Sequence, residues 1–445
     1  MAFSRRNFLI AGSLSAGAAA LLTHELFTEP VPKATAPDAN DWGSVQRLFN
    51  LSPEWTHASL FFLASHPKPV RDAVEQKRRE LDANPFDTVE EGAFGPLERN
   101  HAAQTCVSLA RYIGADPQDI ALTANTTTGL ALAYHGLVLR PGDEIVTTVH
   151  DHFVHHESVR LSIERSGATT RRIALFDPHD ASGASEAEIV GRIRDGISPK
   201  TRVLGITWVH SSSGLKLPLA AIAAAVREIN ASRPAAERIV TIVDGVHGLG
   251  ADDPNIVATG VDIFVVGLHK WMLAPRGTGF VWARPEVWAA MRPLIPTFTS
   301  EELYVAATEH RAPRGTPRAS WFTPGGFQAF EHYWGVPAAV DLHTSLGWQR
   351  IAARVRELNG AAKEGLAKMS HVKLRTPMSS ALSAGIICFE VDGMQPPEVV
   401  RRLHEKRIIA SASPYQVTYP RLSYGIANSE ADVERSLKAV RELRG

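Results

Sequence analysis

The chain has 445 residues, of which 44% are apolar and 21% charged, and its formal net charge is zero. That length allows two domains, or a large one with a smaller companion, and the apolar share supplies a sizeable core. The charge balance excludes the basic surface that a nucleic-acid partner needs.

The first residues read Ser4-Arg5-Arg6-Asn7-Phe8-Leu9-Ile10, followed by a small-residue apolar run to Leu22. Paired arginines before a weakly hydrophobic stretch resemble a twin-arginine export signal. The run is shorter than the ~20 residues a membrane-spanning helix needs. Residues 1–37 are therefore expected to be a signal peptide and spacer, read by the twin-arginine export machinery and directing the protein to the periplasm or another extracytoplasmic compartment.

Leu60 to Leu63 reads as a short strand with a polar end, and Ser65 and His66 there are candidate substrate contacts. Pro69 to Leu81 predicts an amphipathic helix, with Val70, Val74 and Leu81 among charges. A second helix is expected from Leu97 to Ile113, with Gly114 as its C-cap. Next, Ile120-Ala-Leu-Thr123 leads through Asn125-Thr126-Thr127-Thr128-Gly129 into the helical run Ala131 to Leu139. Asn and Thr are ordinary N-caps, yet four consecutive polar residues exceed what one cap requires. The turn reads as a phosphate site at the positive end of a helix.

The strand Asp143 to Val149 runs into His150-Asp151-His152-Phe153-Val154-His155-His156. His152 and His156 would share a helix face, a spacing zinc can use. No further ligand cluster stands nearby in sequence, and a flat ring stacking on an aromatic cofactor suits His152 better, so no metal is expected. Strands then alternate with helices: Thr170–Leu175, helix 185–197, Thr201–Val209 leading to His210-Ser211-Ser212-Ser213, helix Leu219–Ile229, and Ile239–Val243 leading to Asp244-Gly245-Val246-His247. A carboxylate at the end of a buried strand needs a partner. A pyridinium N–H would be one; capping the next turn is the other reading.

The apolar run Ile263 to Val266 stops at Gly267, and His269-Lys270 follow, then a turn on Pro275 and Gly277 and a strand from Gly279 to Ala283. A desolvated lysine amine favours its neutral form and can attack a carbonyl. Polar segments thus follow five strands. In a mostly parallel sheet with helices on both faces they converge on one edge, where ligands bind.

Residues 296–326 read as a long loop, functional by its length. Long helices over Phe327–Ala362 and a mixture of short strands and helices to the end predict a smaller C-terminal α+β domain. The expected division is a large α/β domain over 38–300 and the small one over 301–445. Cys106 and Cys388 sit in apolar surroundings and read as buried structural thiols.

The order and spacing of these motifs resemble the class V aminotransferase family of fold-type I pyridoxal-phosphate enzymes, over nearly everything from about residue 45. The resemblance implies that Lys270 holds the cofactor as a Schiff base with His269 beside it, and that Asp244 pairs with the pyridine nitrogen. His247 would approach the ring's phenolic oxygen, His152 would stack on the ring, and Asn125, Thr126 and Thr127 would hold the phosphate. Ser211 is expected among the cofactor contacts. Arg421 matches the arginine that grips the substrate carboxylate. A homodimer is implied, since sites of this family form at a subunit interface.

Within the family the chain looks most like proteins of the isopenicillin N epimerase type. The cysteine desulfurases carry a nucleophilic cysteine before the carboxylate-binding arginine, and here that stretch reads Ser411-Ala412-Ser413-Pro414-Tyr415. A phosphate-binding serine common two residues before the histidine–lysine pair is replaced by Gly267. The implied activity is chemistry at the α-carbon of an amino acid or peptide-like substrate: epimerisation, β-lysis, transamination or decarboxylation. A binding protein that merely kept the fold, or a zinc hydrolase built on the histidine cluster, are the rivals.

Overall fold

In a computed structural model that describes residues 41–443, the first paired segment is a two-residue strand, β1 (Thr56–His57). The twin-arginine segment lies outside the described residues. After β1 come the helices Lys68–Ala83, Pro85–Phe94 and His101–Ile113. The last ends on Gly114 at φ 75°, the left-handed C-cap its sequence announces. The large sheet is then laid down as β2 (Ile120–Thr123), β3 (Glu144–Thr148), β4 (Thr169–Ile173), β5 (Thr201–Thr207), β6 (Val240–Asp244), β7 (Ile263–Gly267) and β8 (Gly279–Ala283).

These seven strands lie in the order β2-β8-β7-β6-β5-β3-β4. Every neighbouring pair from β7 to β4 is parallel, and β8 is antiparallel to both β7 and β2. The turn after Lys270 allows this, because a short connection can only return antiparallel. Alternate residues of each strand face opposite layers. Leu122, Leu204, Phe264, Val266 and Trp282 enter one apolar cluster, and Ala121, Val203, Val265 and Val281 the other. With both faces covered by helices, the central strands are apolar throughout, the pattern expected for a buried parallel sheet.

The remainder forms a second, smaller sheet from β9 (Val372–Leu374), β10 (Ile387–Val391), β12 (Ser411–Ala412) and β13 (Pro420–Leu422). Between them, β11 (Ile408–Ile409) pairs in parallel with β1, so the first strand of the described chain is held by one of the last. The helices Trp348–Ala367, Pro396–Glu405 and Glu430–Arg441 complete this part, and Leu358, Phe389, Leu422 and Val440 share its core. Helices Phe330–Trp334 and Val336–Leu346 pack instead on Lys68–Ala83 and His101–Ile113.

Three local expectations are corrected. Leu60–Leu63 is a turn, not a strand: Phe62 is 68% exposed, and no neighbouring strand pairs with the segment. The stretch 296–326 is not a continuous loop, since Glu301–Thr308 forms a helix capped by Ser300. The helix Pro85–Phe94, capped by Asn84, was not expected at all. Among the described residues no helix is long and apolar enough to cross a membrane.

Candidate functional site

The C-terminal ends of the parallel strands open on a cavity of about 200 Å³. Its lining brings together Asn125, Thr126, Thr127, His152, Ser211, Asp244, His247, His269, Lys270 and Arg421. Asn125 and Lys270, far apart in sequence, thus meet at one edge of the large sheet, as alternating strands and helices require. Arg421 joins them from the smaller sheet.

Three central strands set the floor. Asp244 closes β6, in register with Thr207 of β5 and Val265 of β7. Its carboxylate accepts the Val246 N–H at 3.0 Å and is 4% exposed. Burial pushes its ionisation up; the Val246 N–H and the Lys270 charge oppose that. Lys270 follows the end of β7, and its Nζ stands 3.0 Å from His247 Nε2. Burial holds the Lys270 ammonium below the ordinary lysine range, and Asp244 pulls it back up. His247 is kept neutral chiefly by burial, with Lys270 and Arg421 acting in the same direction, and its Nδ1 is buried without a partner.

Asn125 caps the helix Thr126–Gly136, its Oδ1 accepting the Thr128 N–H at 2.9 Å. The N–H groups of Thr126 and Thr127 precede the first helical hydrogen bond, so they are available to an anion. Thr126 Oγ1 accepts the Gly267 N–H at 2.8 Å, which ties this turn to the end of β7. A Cβ on Gly267 would stand 2.9 Å from the His269 ring and 3.1 Å from Thr126 Oγ1. A serine at this position would therefore crowd the same turn.

His152 caps the helix Phe153–Ser166, its Nδ1 accepting the Val154 N–H at 3.3 Å. Beneath it Asp151 is buried, accepting from Thr148 N–H at 2.8 Å and Thr207 Oγ1 at 2.7 Å. The other histidines of this segment have structural partners. His155 Nε2 meets Tyr134 Oη at 2.5 Å, His150 Nε2 accepts the Leu175 N–H at 3.1 Å, and His156 Nε2 reaches Thr148 O at 2.9 Å. The Tyr134–His155 pair needs Gly205, where a Cβ would fall 1.8 Å from Tyr134 Oη. Among the described residues no group of three or more His, Cys, Asp or Glu is arranged to hold a metal.

Arg421, on β13, is 4% exposed. Its guanidinium donates to Ser211 O at 3.0 Å, Ala412 O at 3.0 Å and Ser411 Oγ at 3.2 Å, and lies 4.9 Å over the Phe61 ring. No carboxylate of the described chain pairs with it, and two of the five guanidinium N–H donors remain for a ligand. Ser65 and His66 are not among the lining residues; Phe61 and Phe62, from the turn just before them, take that place. His66 instead lies near Arg276, His332 and Arg71, its ionisation lowered to about 4, mainly by burial.

Sequence reasoning missed Tyr415, which lines the cavity and shares a 2.7 Å hydrogen bond with Ser211 Oγ. Its segment was read only for a missing cysteine. The two cysteines are elsewhere: neither lines the cavity, and burial pushes both thiols up to about 12.

A family model, aminotransferase class-V, matches residues 64–435. The chain belongs to the class V aminotransferase family. It is a pyridoxal-phosphate enzyme of fold type I. Isopenicillin N epimerase from Streptomyces clavuligerus is 28% identical over 419 residues, covering 91% of this chain and 99% of that one. A probable cysteine desulfurase of Mycobacterium leprae is 26% identical, covering 76% and 77%. Among solved structures, a lysine-to-alanine mutant of C-DES with glycine covalently linked to its PLP cofactor superposes with a TM-score of 0.78. It is 21% identical and covers 90% of this chain and 99% of that one.

The donors present fit pyridoxal phosphate. A neutralisable buried amine, a buried carboxylate, an unpartnered imidazole Nδ1 and a helix N-terminus line one cavity, matching the cofactor's aldehyde, ring nitrogen, phenolic oxygen and phosphate in kind.

Proposed function

We propose that this protein is an exported enzyme acting at the α-carbon of an amino acid, or of an amino-acid residue in a peptide-like metabolite, in the manner of isopenicillin N epimerase. The observation that carries the reading is a cavity holding a desolvated lysine and a carboxylate-free arginine but no thiol. A desulfurase needs a cysteine nucleophile there; neither Cys106 nor Cys388 lines the cavity, and both thiols are held protonated. The similarity to two isopenicillin N epimerases over 91% of the chain supports the same choice.

Pyridoxal phosphate, when bound, supplies an aldehyde that condenses with amines and a ring that takes up an electron pair from the α-carbon. The chain's own residues do the rest. Lys270 holds the cofactor and then, as a neutral amine, takes the α-proton. Asp244 would keep the ring nitrogen protonated, and His152 would stack on the ring. His247 and His269 flank the lysine. Asn125, Thr126 and Thr127 hold the phosphate. Arg421 turns its two remaining N–H donors to the substrate carboxylate.

Export through the twin-arginine route to the periplasm is part of the proposal and rests on Arg5-Arg6 and the apolar run after them. A homodimer is also proposed; exposed Phe298 and Phe327, whose rings lie 6.4 Å apart, are apolar side chains that a second subunit would cover. The test is to incubate the holoenzyme with isopenicillin N and with proteinogenic L-amino acids in deuterium oxide. Deuterium at the α-carbon, with inversion, is expected. Pyruvate or sulfide release without inversion would favour a β-lyase instead.

A further inference from the structure

Inversion at the α-carbon requires a proton to leave one side and another to arrive at the opposite side. We infer that Tyr415, hydrogen-bonded to Ser211, is the group that delivers the second proton, facing Lys270 across the substrate; this rests on the epimerase reading above.

The titratable groups lining the cavity are His152, His155, Asp244, His247, His269, Lys270, Tyr415 and Arg421. Most are committed. His247 is bonded to Lys270 itself. His155 is spent on Tyr134, and His152, whose Nδ1 accepts the Val154 N–H, is assigned to the ring face. His269 adjoins Lys270 in the chain. Asp244 is assigned to the ring nitrogen. Arg421 does not give up its proton. Tyr415 is the acid that remains.

The sheet order sets it apart from the lysine. Lys270 follows β7, Asp244 ends β6, and Ser211 follows β5, with β6 between the other two. Two strand spacings, about 10 Å, separate the flanking segments. The lysine and the Ser211–Tyr415 pair thus stand on opposite flanks of Asp244 along the sheet edge. The Tyr415 ring also meets His152 edge-on, centroids 5.9 Å apart.

The side chain is held firmly. It sits in the loop joining β12 to β13, which pair antiparallel. Thr418 Oγ1 donates to Tyr415 O at 2.9 Å, and Ser413 Oγ accepts the Tyr419 N–H at 2.8 Å. Ser211, bonded through its carbonyl to Arg421, fixes the phenol by its hydroxyl. Burial keeps the phenol protonated.

The step balances without an oxidant. The α-C–H bond breaks and its proton passes to Lys270 Nζ. The carbon's electron pair, held meanwhile by the bound cofactor, forms a new C–H bond with the Tyr415 hydroxyl proton. The phenolate regains a proton through Ser211 from solvent, and Lys270 releases one.

The experiment compares wild type, Tyr415→Phe and Ser211→Ala holoenzymes on isopenicillin N in deuterium oxide, following inversion by chiral chromatography and α-deuteration of unconverted substrate by mass spectrometry. Cofactor uptake is measured in parallel from tryptophan fluorescence of the apo proteins. Tyr415→Phe is expected to shift the ratio of exchange to inversion by about a hundredfold toward exchange, the low end of general-acid effects, with cofactor affinity within a fewfold of wild type. Ser211→Ala should shift it the same way, less far. Inversion by Tyr415→Phe at the wild-type ratio overturns the role. So does a parallel loss of exchange, inversion and cofactor uptake, which marks a structural residue. A wild type that neither exchanges nor inverts overturns the epimerase reading and the Tyr415 role with it.

Discussion

Lys270 Nζ and His247 Nε2 lie 3.0 Å apart, joining the ends of adjacent strands β7 and β6 by one hydrogen bond. Burial lowers the ionisation of both, the lysine to about 8 and the histidine far enough to keep it neutral. The histidine thus aims the amine without competing for its charge. His247→Ala should cost about 10–100-fold in kcat/KM, the scale of a misplaced reacting group. His247→Gln, which keeps a hydrogen-bonding atom nearby, should recover part of it. Equal rates for the two variants would show that the bond does not position the lysine.

Asp244 works through charge. Asp244→Asn preserves shape but removes the anion that holds a ring nitrogen protonated. A loss of about a hundredfold or more in turnover is expected, with the cofactor still bound. Steady-state rates beside the visible spectrum decide it: an unchanged rate would remove the carboxylate from the chemistry.

Gly267 has no room for a serine unless the His269 ring shifts. Gly267→Ser should press on the His269 ring and the Thr126 hydroxyl. Overpacking of this kind costs about 1–3 kcal/mol, so the melting temperature should fall by a few degrees and cofactor affinity should weaken. A gain in affinity would mean that the turn relaxes and accepts a new phosphate contact.

Acid should unfold the apo protein through its buried histidines. Burial lowers His150 to about 3 and His155 and His343 to about 4, against 6.5 in solvent. The unfolded chain therefore binds protons that the folded chain refuses, and stability rises with pH across this window. As pH falls from 6.5 toward 4, each such histidine contributes a loss of up to about 1.4 kcal/mol per pH unit. Urea unfolding across that range should show this slope, and His343→Asn should reduce it by about one proton's worth. An unchanged slope would assign the acid sensitivity elsewhere.

Much of the site was legible because its residues sit where strands end. Asn125, Asp244 and Lys270 each follow an apolar run of strand length, and burial makes a polar residue there conspicuous. Tyr415, Phe61 and Phe62 gave no such signal, since they lie on irregular turns whose positions depend on how the smaller sheet is held. The Phe61-Phe62 pair even suggested a strand, as a short apolar run does whether it enters a sheet or lines a cavity. Ser65 and His66 were chosen for polarity, but the chain turns away from the cavity before reaching them. The reversal of β8 follows from the short turn at Pro275–Gly277, and the mixed sheet from that reversal. Helix Glu301–Thr308 lay hidden among Thr and Pro residues whose composition suggests a loop.

The central claim is that Lys270, and no other lysine, holds the cofactor. Lys363 is the natural control: it too is buried, with its ionisation lowered to about 8, but its Nζ is engaged by Pro377 O, Met378 O and Ser383 Oγ. The most direct measurement is to incubate the protein with pyridoxal phosphate, reduce with borohydride, digest, and locate the added mass. The account predicts one adduct per chain, on the peptide carrying Lys270, and none in Lys270→Ala. An adduct on Lys363 or another lysine, or no adduct in the wild type, would contradict it.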